Sequence, residues 1–238
     1  MMNASSSKKK ISTILILAAI LVMPGFLYYL LQDQGKNRYR PLAIFGPKKV
    51  ASTFHSVRGK QIPDTIYHAV GNFSLTNQNG DTVTLDSWKG KVMVLNLLYS
   101  HVQTDGSRAI FTEFKKFNKT YQNNKLVHFA SISVDPYGHN EALKETAKLL
   151  GAKPNKWDLL SGDSTAVYAM VRKDLLLDVI EIRTPVEKVI YSHKIVLLDS
   201  QHRIRGFYDA SNHEALSKLD DEIKVLIAEE LRNMKDGR

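Results

Sequence analysis

The chain has 238 residues, of which 43% are apolar, enough to bury one substantial hydrophobic core and to predict one domain with an appendage. The formal net charge is +9, but residues 1–60 hold ten of the basic residues and only one acidic residue. Residues 61–238 are therefore electrically balanced, which argues against a nucleic-acid-binding surface on the folded part.

No residue of the chain is a cysteine. Thiol–disulfide exchange needs two sulfur atoms and a cysteine peroxidase needs one, so both kinds of enzyme are excluded. A lipoprotein attached through a lipidated cysteine is excluded for the same reason. The sequence also shows no pairing of a nucleophile with a general base, and we therefore expect a protein that is not an enzyme.

The first patterned segment is the uncharged apolar run of residues 11–31, which follows three lysines at positions 8–10. About 20 apolar residues suffice to cross a hydrocarbon core of about 30 Å. The run predicts one transmembrane helix, with residues 1–10 as a basic cytoplasmic N-terminus. The domain is then expected on the periplasmic or extracytoplasmic side of the cytoplasmic membrane. A cleaved signal peptide is the alternative interpretation.

Residues 32–60 are polar and contain proline and glycine, which is typical of a tether, and residues 61–238 form the predicted domain. Residues 73–85 alternate apolar and polar positions around Asn79-Gly80, which predicts a β-hairpin with a type I′ turn. The nearly continuous apolar run at 92–98 predicts a central strand that is covered on both faces.

The middle of the chain alternates helical and strand patterns. Apolar residues recur at helical spacing between positions 110 and 121, residues 127–134 predict a second core strand, and residues 141–150 predict a helix. Two strand-like runs within residues 175–191 predict an inserted β-hairpin.

The C-terminal part predicts two paired antiparallel strands at 194–199 and 204–208, followed by a helix. Ser211 and Glu214 have the spacing of a capping box and predict where that helix begins. The order of elements predicts an α/β protein with a thioredoxin-like fold, an N-terminal β-hairpin and an inserted β-hairpin, preceded by one transmembrane helix.

The junction between the strand at 92–98 and the next helix is the position where a thioredoxin-like fold would carry a thiol pair. The N-terminus of a helix lowers the pKa of a thiol and favours thiolate chemistry or metal binding. The junction here contains no sulfur.

Several motifs resemble, in the same order along residues 42–230, those of the SCO/SenC proteins, which are membrane-anchored factors with a thioredoxin fold that deliver or reduce copper centres during cytochrome c oxidase assembly. The motifs are Asp64-Thr-Ile-Tyr-His68, Phe73-Ser-Leu-Thr-Asn-Gln-Asn-Gly80, Trp88-Lys-Gly-Lys-Val92, Ser131-Ile-Ser-Val-Asp-Pro136, Trp157-Asp-Leu-Leu-Ser-Gly162, Ser192-His-Lys-Ile-Val-Leu-Leu-Asp199 and Arg203-Ile-Arg-Gly-Phe-Tyr208. The resemblance implies the fold, the anchor and a role in oxidase assembly.

The resemblance also implies a copper site built from Cys-x-x-x-Cys-Pro and a distant histidine. In this sequence the two cysteine positions fall on Val102 and Gly106, the proline on Ser107 and the histidine on His193. Because Cu(I) prefers thiolate ligands, we expect neither copper donation nor thiol redox activity from this chain.

Two functional hypotheses follow. The first is a cysteine-less SCO/SenC-like accessory protein for respiratory oxidase or copper-centre assembly, which binds oxidase subunits or a cysteine-bearing paralogue through the loop at 99–108. The second is a metal-binding or metal-sensing module for Cu(II) or zinc that uses His193 with His101, and Asp105 or Asp135 as further ligands. Asp105 is also expected as the N-cap of the helix that follows.

Overall fold

The computed structural model describes residues 16–30, 41–99, 105–137, 140–183 and 188–235. Two compact units are present, Met1–Pro41 and Leu42–Arg238. In the first unit, helix α1 covers residues 16–30 and exposes its apolar side chains. Within the described ranges no helix combines the length and apolarity that a membrane crossing requires. The remainder of the predicted span, residues 11–15 and 31, lies outside the described residues.

The second unit opens with an antiparallel hairpin of β1 (Lys48–Val57) and β2 (Lys60–Tyr67). Arg58 and Gly59, with φ of 51° and 79°, form its two-residue turn. The hairpin occupies residues that the sequence assigns to the tether and to the start of the domain. Both of its faces are exposed, so the sequence lacks the alternation that marks a half-buried strand.

The main sheet has seven strands in the order β11-β10-β5-β6-β7-β3-β4. The central strands β5, β6 and β7 are parallel, and the outer ones are antiparallel to their neighbours. The strands are β3 (Ser74–Asn77), β4 (Thr82–Thr84), β5 (Val92–Leu98), β6 (Val127–Ser133), β7 (Trp157–Ser161), β10 (Lys194–Leu198) and β11 (Ile204–Asp209).

Among the residues that the structure describes, the remaining elements are four helices, a short 3-10 helix and a separate two-stranded sheet. They are the 3-10 helix Leu85–Trp88, α2 (Asp105–Tyr121), α3 (Asn140–Leu150), α4 (Ser164–Lys173), α5 (His213–Lys235), β8 (Val179–Ile182) and β9 (Lys188–Tyr191). The structure confirms the mixed α/β arrangement, the N-terminal hairpin β3–β4 and the inserted hairpin β8–β9.

Two hydrophobic clusters cover the two faces of the sheet, and β5 contributes to both. Met93 and Leu95 belong to the first hydrophobic cluster, which α4 covers. Val92 and Val94 belong to the second, which α2, α3 and α5 cover. Successive side chains of a strand point to opposite faces, so a strand between two layers must be apolar throughout. The continuous apolar run therefore predicts β5 correctly and places its carboxyl end above the middle of the sheet.

The turn between β3 and β4 differs from the predicted type I′ turn. Gly80 has φ of +88°, but Asn79 does not share a positive φ. The Asn77 side chain accepts hydrogen bonds from the amides of Asn79 and Asp81 at 3.0 and 2.9 Å. A type I turn followed by a glycine in the left-handed region satisfies these bonds.

Helix α5 begins one residue later than the predicted capping box requires. Asn212, not Ser211, is the N-cap, because its side chain accepts hydrogen bonds from the amides of Glu214 and Ala215 at 2.8 and 3.2 Å. The Ser211 hydroxyl donates to Asp209 at 2.7 Å instead.

Candidate functional site

The β5–α2 junction lies at the carboxyl end of β5. Tyr99 follows the strand, is half-buried and packs on the first hydrophobic cluster. Gly106 lies in the first turn of α2, where backbone amides lack helical partners. Asp105 is the first residue of α2, and its role as the N-cap of this helix stays a prediction. His101 and Val102 lie outside the described residues.

His193 lies between β9 and β10 and is exposed. Strand β10 pairs antiparallel with β5, with Val196 opposite Leu95. Continuing this register by three residues sets His193 level with Leu98, at the end of β5. The His193 ring meets the Tyr191 ring edge-on, with 5.0 Å between centroids. The fold therefore brings His193 to the edge of the sheet that carries the junction.

The carboxylates near this edge are already engaged. Asp135, two residues beyond β6, is buried and accepts a hydrogen bond from the amide of Tyr137 at 2.9 Å. Asp209 lies opposite Lys194, and the hydroxyl and amide of Ser211 hold the pKa of this carboxyl below its usual value, with a smaller contribution from His193. The described part of the chain contains no group of three His, Asp or Glu side chains that could hold a metal. The site of His193 with His101 stays a prediction.

Sequence reasoning missed the tyrosines around this edge. Tyr168 of α4 is buried and donates a hydrogen bond to the carbonyl of Val134 at 2.9 Å. Burial raises the pKa of Tyr168 to about 12, and the nearby Glu181, Tyr99 and Asp135 add to the increase. Because Tyr168 holds the backbone directly before Asp135, it positions the end of β6. The helical pattern of α4 marks Tyr168 only as a core residue, so no local signal predicts this contact.

The Tyr168→Phe substitution is expected to lower the free energy of unfolding by about 1 kcal/mol, because one buried hydrogen bond is lost. The folded-state pKa of Tyr168 lies above its unfolded value, so its stabilisation is complete below about pH 10 and declines toward pH 12. Urea unfolding of the natural protein and of the Tyr168→Phe variant, at about pH 8 and about pH 11, measures how the difference in their free energies of unfolding changes with pH. A stability difference that does not change between the two pH values would contradict the prediction.

Comparison with known proteins identifies relatives of this chain. A family model described as SCO1/SenC matches residues 63–227. The chain is 32% identical over 111 residues to a protein of Bacillus subtilis (strain 168) described as a SCO1 protein homolog. That match covers 44% of this chain and 55% of the relative, so the chain spans about half the length of the curated relative that it matches.

Three solved structures share the fold. A SCO1/SenC family lipoprotein from Bacillus anthracis str. Ames has a TM-score of 0.61 at 23% identity, over 67% of this chain and 95% of the other. BsSco, described as a member of the Sco family of cytochrome c oxidase assembly proteins, has a TM-score of 0.57 at 20% identity over 67% and 93%. Arabidopsis thaliana ScoI with copper bound has a TM-score of 0.55 at 23% identity over 67% and 99%.

These similarities confirm the predicted thioredoxin-like fold. The family model covers more than half of the chain and includes Gly106 and His193. The chain therefore belongs to the SCO1/SenC family.

Proposed function

We propose that this protein is a membrane-anchored accessory factor for respiratory oxidase or copper-centre assembly, and that it acts through protein contacts without enzymatic turnover. The observation that carries the proposal is the SCO1/SenC match over residues 63–227 in a chain without cysteine. BsSco is described as belonging to a family of cytochrome c oxidase assembly proteins, and the Arabidopsis relative binds copper. This chain keeps the scaffold of those relatives but has no thiolate with which to bind Cu(I).

The edge of the sheet around the β5–α2 junction supplies the contact surface. Tyr137 is 56% exposed beyond β6, and His193 is exposed before β10. The half-buried Tyr99 and Tyr191 pack on the first hydrophobic cluster below them. Tyrosine is enriched in the cores of protein interfaces because it combines a large apolar area with a polar group. The surface therefore suits an oxidase subunit or a cysteine-bearing relative as its partner.

The apolar run at 11–31 provides the anchor in the proposed arrangement. Helix α1 exposes large apolar side chains over residues 16–30, including Leu21 at 82% and Tyr29 at 68%. Such surface is favourable in a bilayer and unfavourable in water. The Bacillus anthracis relative is described as a lipoprotein, whereas this chain has no cysteine to carry a lipid. We place the domain on the periplasmic side of the cytoplasmic membrane.

The test is co-purification of the full chain from its own membranes in mild detergent. Oxidase subunits or a cysteine-bearing relative are expected to co-purify with the natural protein. The double variant Tyr137→Ala and His193→Ala should co-purify with about 30-fold less of its partner, because a buried aromatic contact at an interface is worth about 2 kcal/mol.

The matched control is Lys144→Ala, an exposed substitution on α3 that should leave recovery unchanged. Recovery of neither partner class would overturn the proposed function. Equal recovery with the double variant would show that partners bind elsewhere on the protein.

A further inference from the structure

The β1–β2 hairpin has no role in the site described above. It forms its own two-stranded sheet, and neither hydrophobic cluster includes any residue of 48–67. Its base is held to the main sheet: the Phe45 amide donates to the carbonyl of Ile204 at 2.8 Å, and the Arg203 guanidinium lies 6.0 Å from the centroid of the Tyr67 ring. Strand β1 also precedes the residues that the family model matches. Within the hairpin the match covers only residues 63–67, so it does not explain the role of the turn or of β1.

The hairpin exposes large apolar side chains. Val50 is 76% exposed, Phe54 59%, Ile66 56% and Ile62 41%. Side chains alternate between the faces of a strand, so apolar groups stand on both faces of the hairpin. Val50 and Phe54 lie on one face, and Ile62 and Ile66 lie on the other. Large exposed apolar side chains gathered in one element mark a contact with a membrane or a partner.

The charge of the hairpin is positive. Lys48, Lys49, Arg58 and Lys60 lie on its strands and turn, and Asp64 is its only acidic residue. Asp64 is already engaged, with its Oδ1 2.6 Å from Nδ1 of His55. None of the four basic side chains forms an ion pair with a carboxylate in the described ranges. From residue 34 to residue 60 the sequence has no acidic residue at all, so the positive charge is continuous.

The edges of the hairpin are poorly suited to pairing with another strand. The register of β1 shifts between Val50 and Phe54, and Pro63 removes a backbone donor from β2. Irregularity, proline and lysine at an edge are features that oppose strand addition. Contact through the faces and the basic turn is therefore favoured over extension of the sheet by a peptide or a second copy.

We propose that the β1–β2 hairpin docks on the surface of an anionic lipid bilayer. Apolar side chains that enter the headgroup boundary, combined with basic groups that no carboxylate neutralises, are the features that bind an interfacial segment to anionic lipid. Each lysine or arginine near such a surface contributes about 1 kcal/mol. This docking is independent of the partner contacts proposed above, because it involves neither Tyr137 nor His193.

Site-directed spin labelling tests this docking, and the cysteine-free chain makes any introduced cysteine unique. The full chain with Ser56→Cys carries a nitroxide on the hairpin face that holds Phe54. The labelled chain is reconstituted in vesicles of phosphatidylglycerol and phosphatidylcholine in a molar ratio of about 3 to 7, and in vesicles of phosphatidylcholine alone. In the anionic vesicles the label is expected to become accessible to oxygen and shielded from a water-soluble nickel complex.

Two controls make the result specific. A label at Lys144→Cys on α3 should stay in water in both vesicles. Adding Arg58→Gln and Lys60→Gln to the hairpin label should lower the ratio of docked to undocked protein by about 30-fold, since two charges are removed.

The proposal is overturned if the Ser56 label in anionic vesicles is as accessible to nickel as the Lys144 label. Broadening of the Ser56 spectrum by a second label at close range would also overturn it, because the occupant would then be another copy of the chain.

Discussion

Replacing Val102 and Gly106 together with cysteine is expected to create tight binding of a single Cu(I) ion in a chain that otherwise lacks thiolate ligands. Gly106 lies in the first turn of α2, where the helix N-terminus stabilises a thiolate. His193 lies level with the end of β5, on the same edge of the sheet. Two thiolates and one imidazole would then meet the preference of Cu(I) for soft ligands. Competition with a Cu(I) chelator measures the gain in affinity.

The controls separate a restored site from nonspecific binding by thiols. Adding His193→Ala to the double variant should weaken the affinity for Cu(I), because one of three ligands is removed. Moving one cysteine to the exposed position Lys144 keeps two thiols but separates them, and should abolish tight binding. Equal affinity in all three variants would show that the fold does not preserve the geometry of the family site.

Titrating the natural protein with Cu(II) and with zinc tests the metal-binding hypothesis. If His193 and His101 hold Cu(II) or zinc, the affinity of the natural protein should fall by about 10-fold or more when His193 is replaced by alanine. An affinity that His193→Ala leaves unchanged would eliminate this hypothesis.

Removing the Asp199 carboxylate is expected to destabilise the fold by about 3 kcal/mol, because the buried Arg205 guanidinium loses one of its two carboxylate partners. Asp199 is fully buried at the end of β10 and accepts hydrogen bonds from the side chains of Arg203 and Arg205 at 2.8 and 2.9 Å. Arg205 is also buried, and it pairs with Glu229 of α5 at 3.1 Å. The network ties the β10–β11 turn to the last helix.

Chemical denaturation of Asp199→Ala and Asp199→Asn measures this cost. Asparagine keeps an oxygen that can accept hydrogen bonds from the amides of Gln201 and Arg203, which Asp199 Oδ1 accepts at 3.0 and 2.9 Å. The asparagine variant should therefore lose less stability than the alanine variant. The exposed pair of Lys116 and Glu113 provides the comparison, and Lys116→Ala should cost less than about 1 kcal/mol. Equal losses at Asp199 and Lys116 would contradict the prediction.

Most of the fold could be predicted because its signals are local. The apolar run of β5, the helical spacing of α2 and the strand pattern of the inserted hairpin each depend on neighbouring residues. The β1–β2 hairpin was not predicted, and β1 falls in the predicted tether, because strands that are exposed on both faces leave no alternating pattern. The type I′ turn was predicted wrongly because the side chain of Asn77, two residues before Asn79, decides the geometry of the turn.

The candidate site was predictable only in part. The order of the motifs located Gly106 and His193, and the structure places both residues at the end of the sheet where β5 stops. The hydrogen bond by which Tyr168 holds the end of β6 was not predictable, since the Tyr168 hydroxyl donates to the carbonyl of Val134, which is 34 residues away along the chain.

The sequence by itself determined the family of this protein and the absence of thiol chemistry, because both depend only on which residues are present and in what order. Tertiary structure alone decided that His193 reaches the end of β5, that Asp199 joins Arg205 and α5 in one buried network, and that a basic apolar hairpin stands outside the core. These features arise from contacts between residues far apart in the chain. Such contacts form only when the sheet and its two hydrophobic layers have packed.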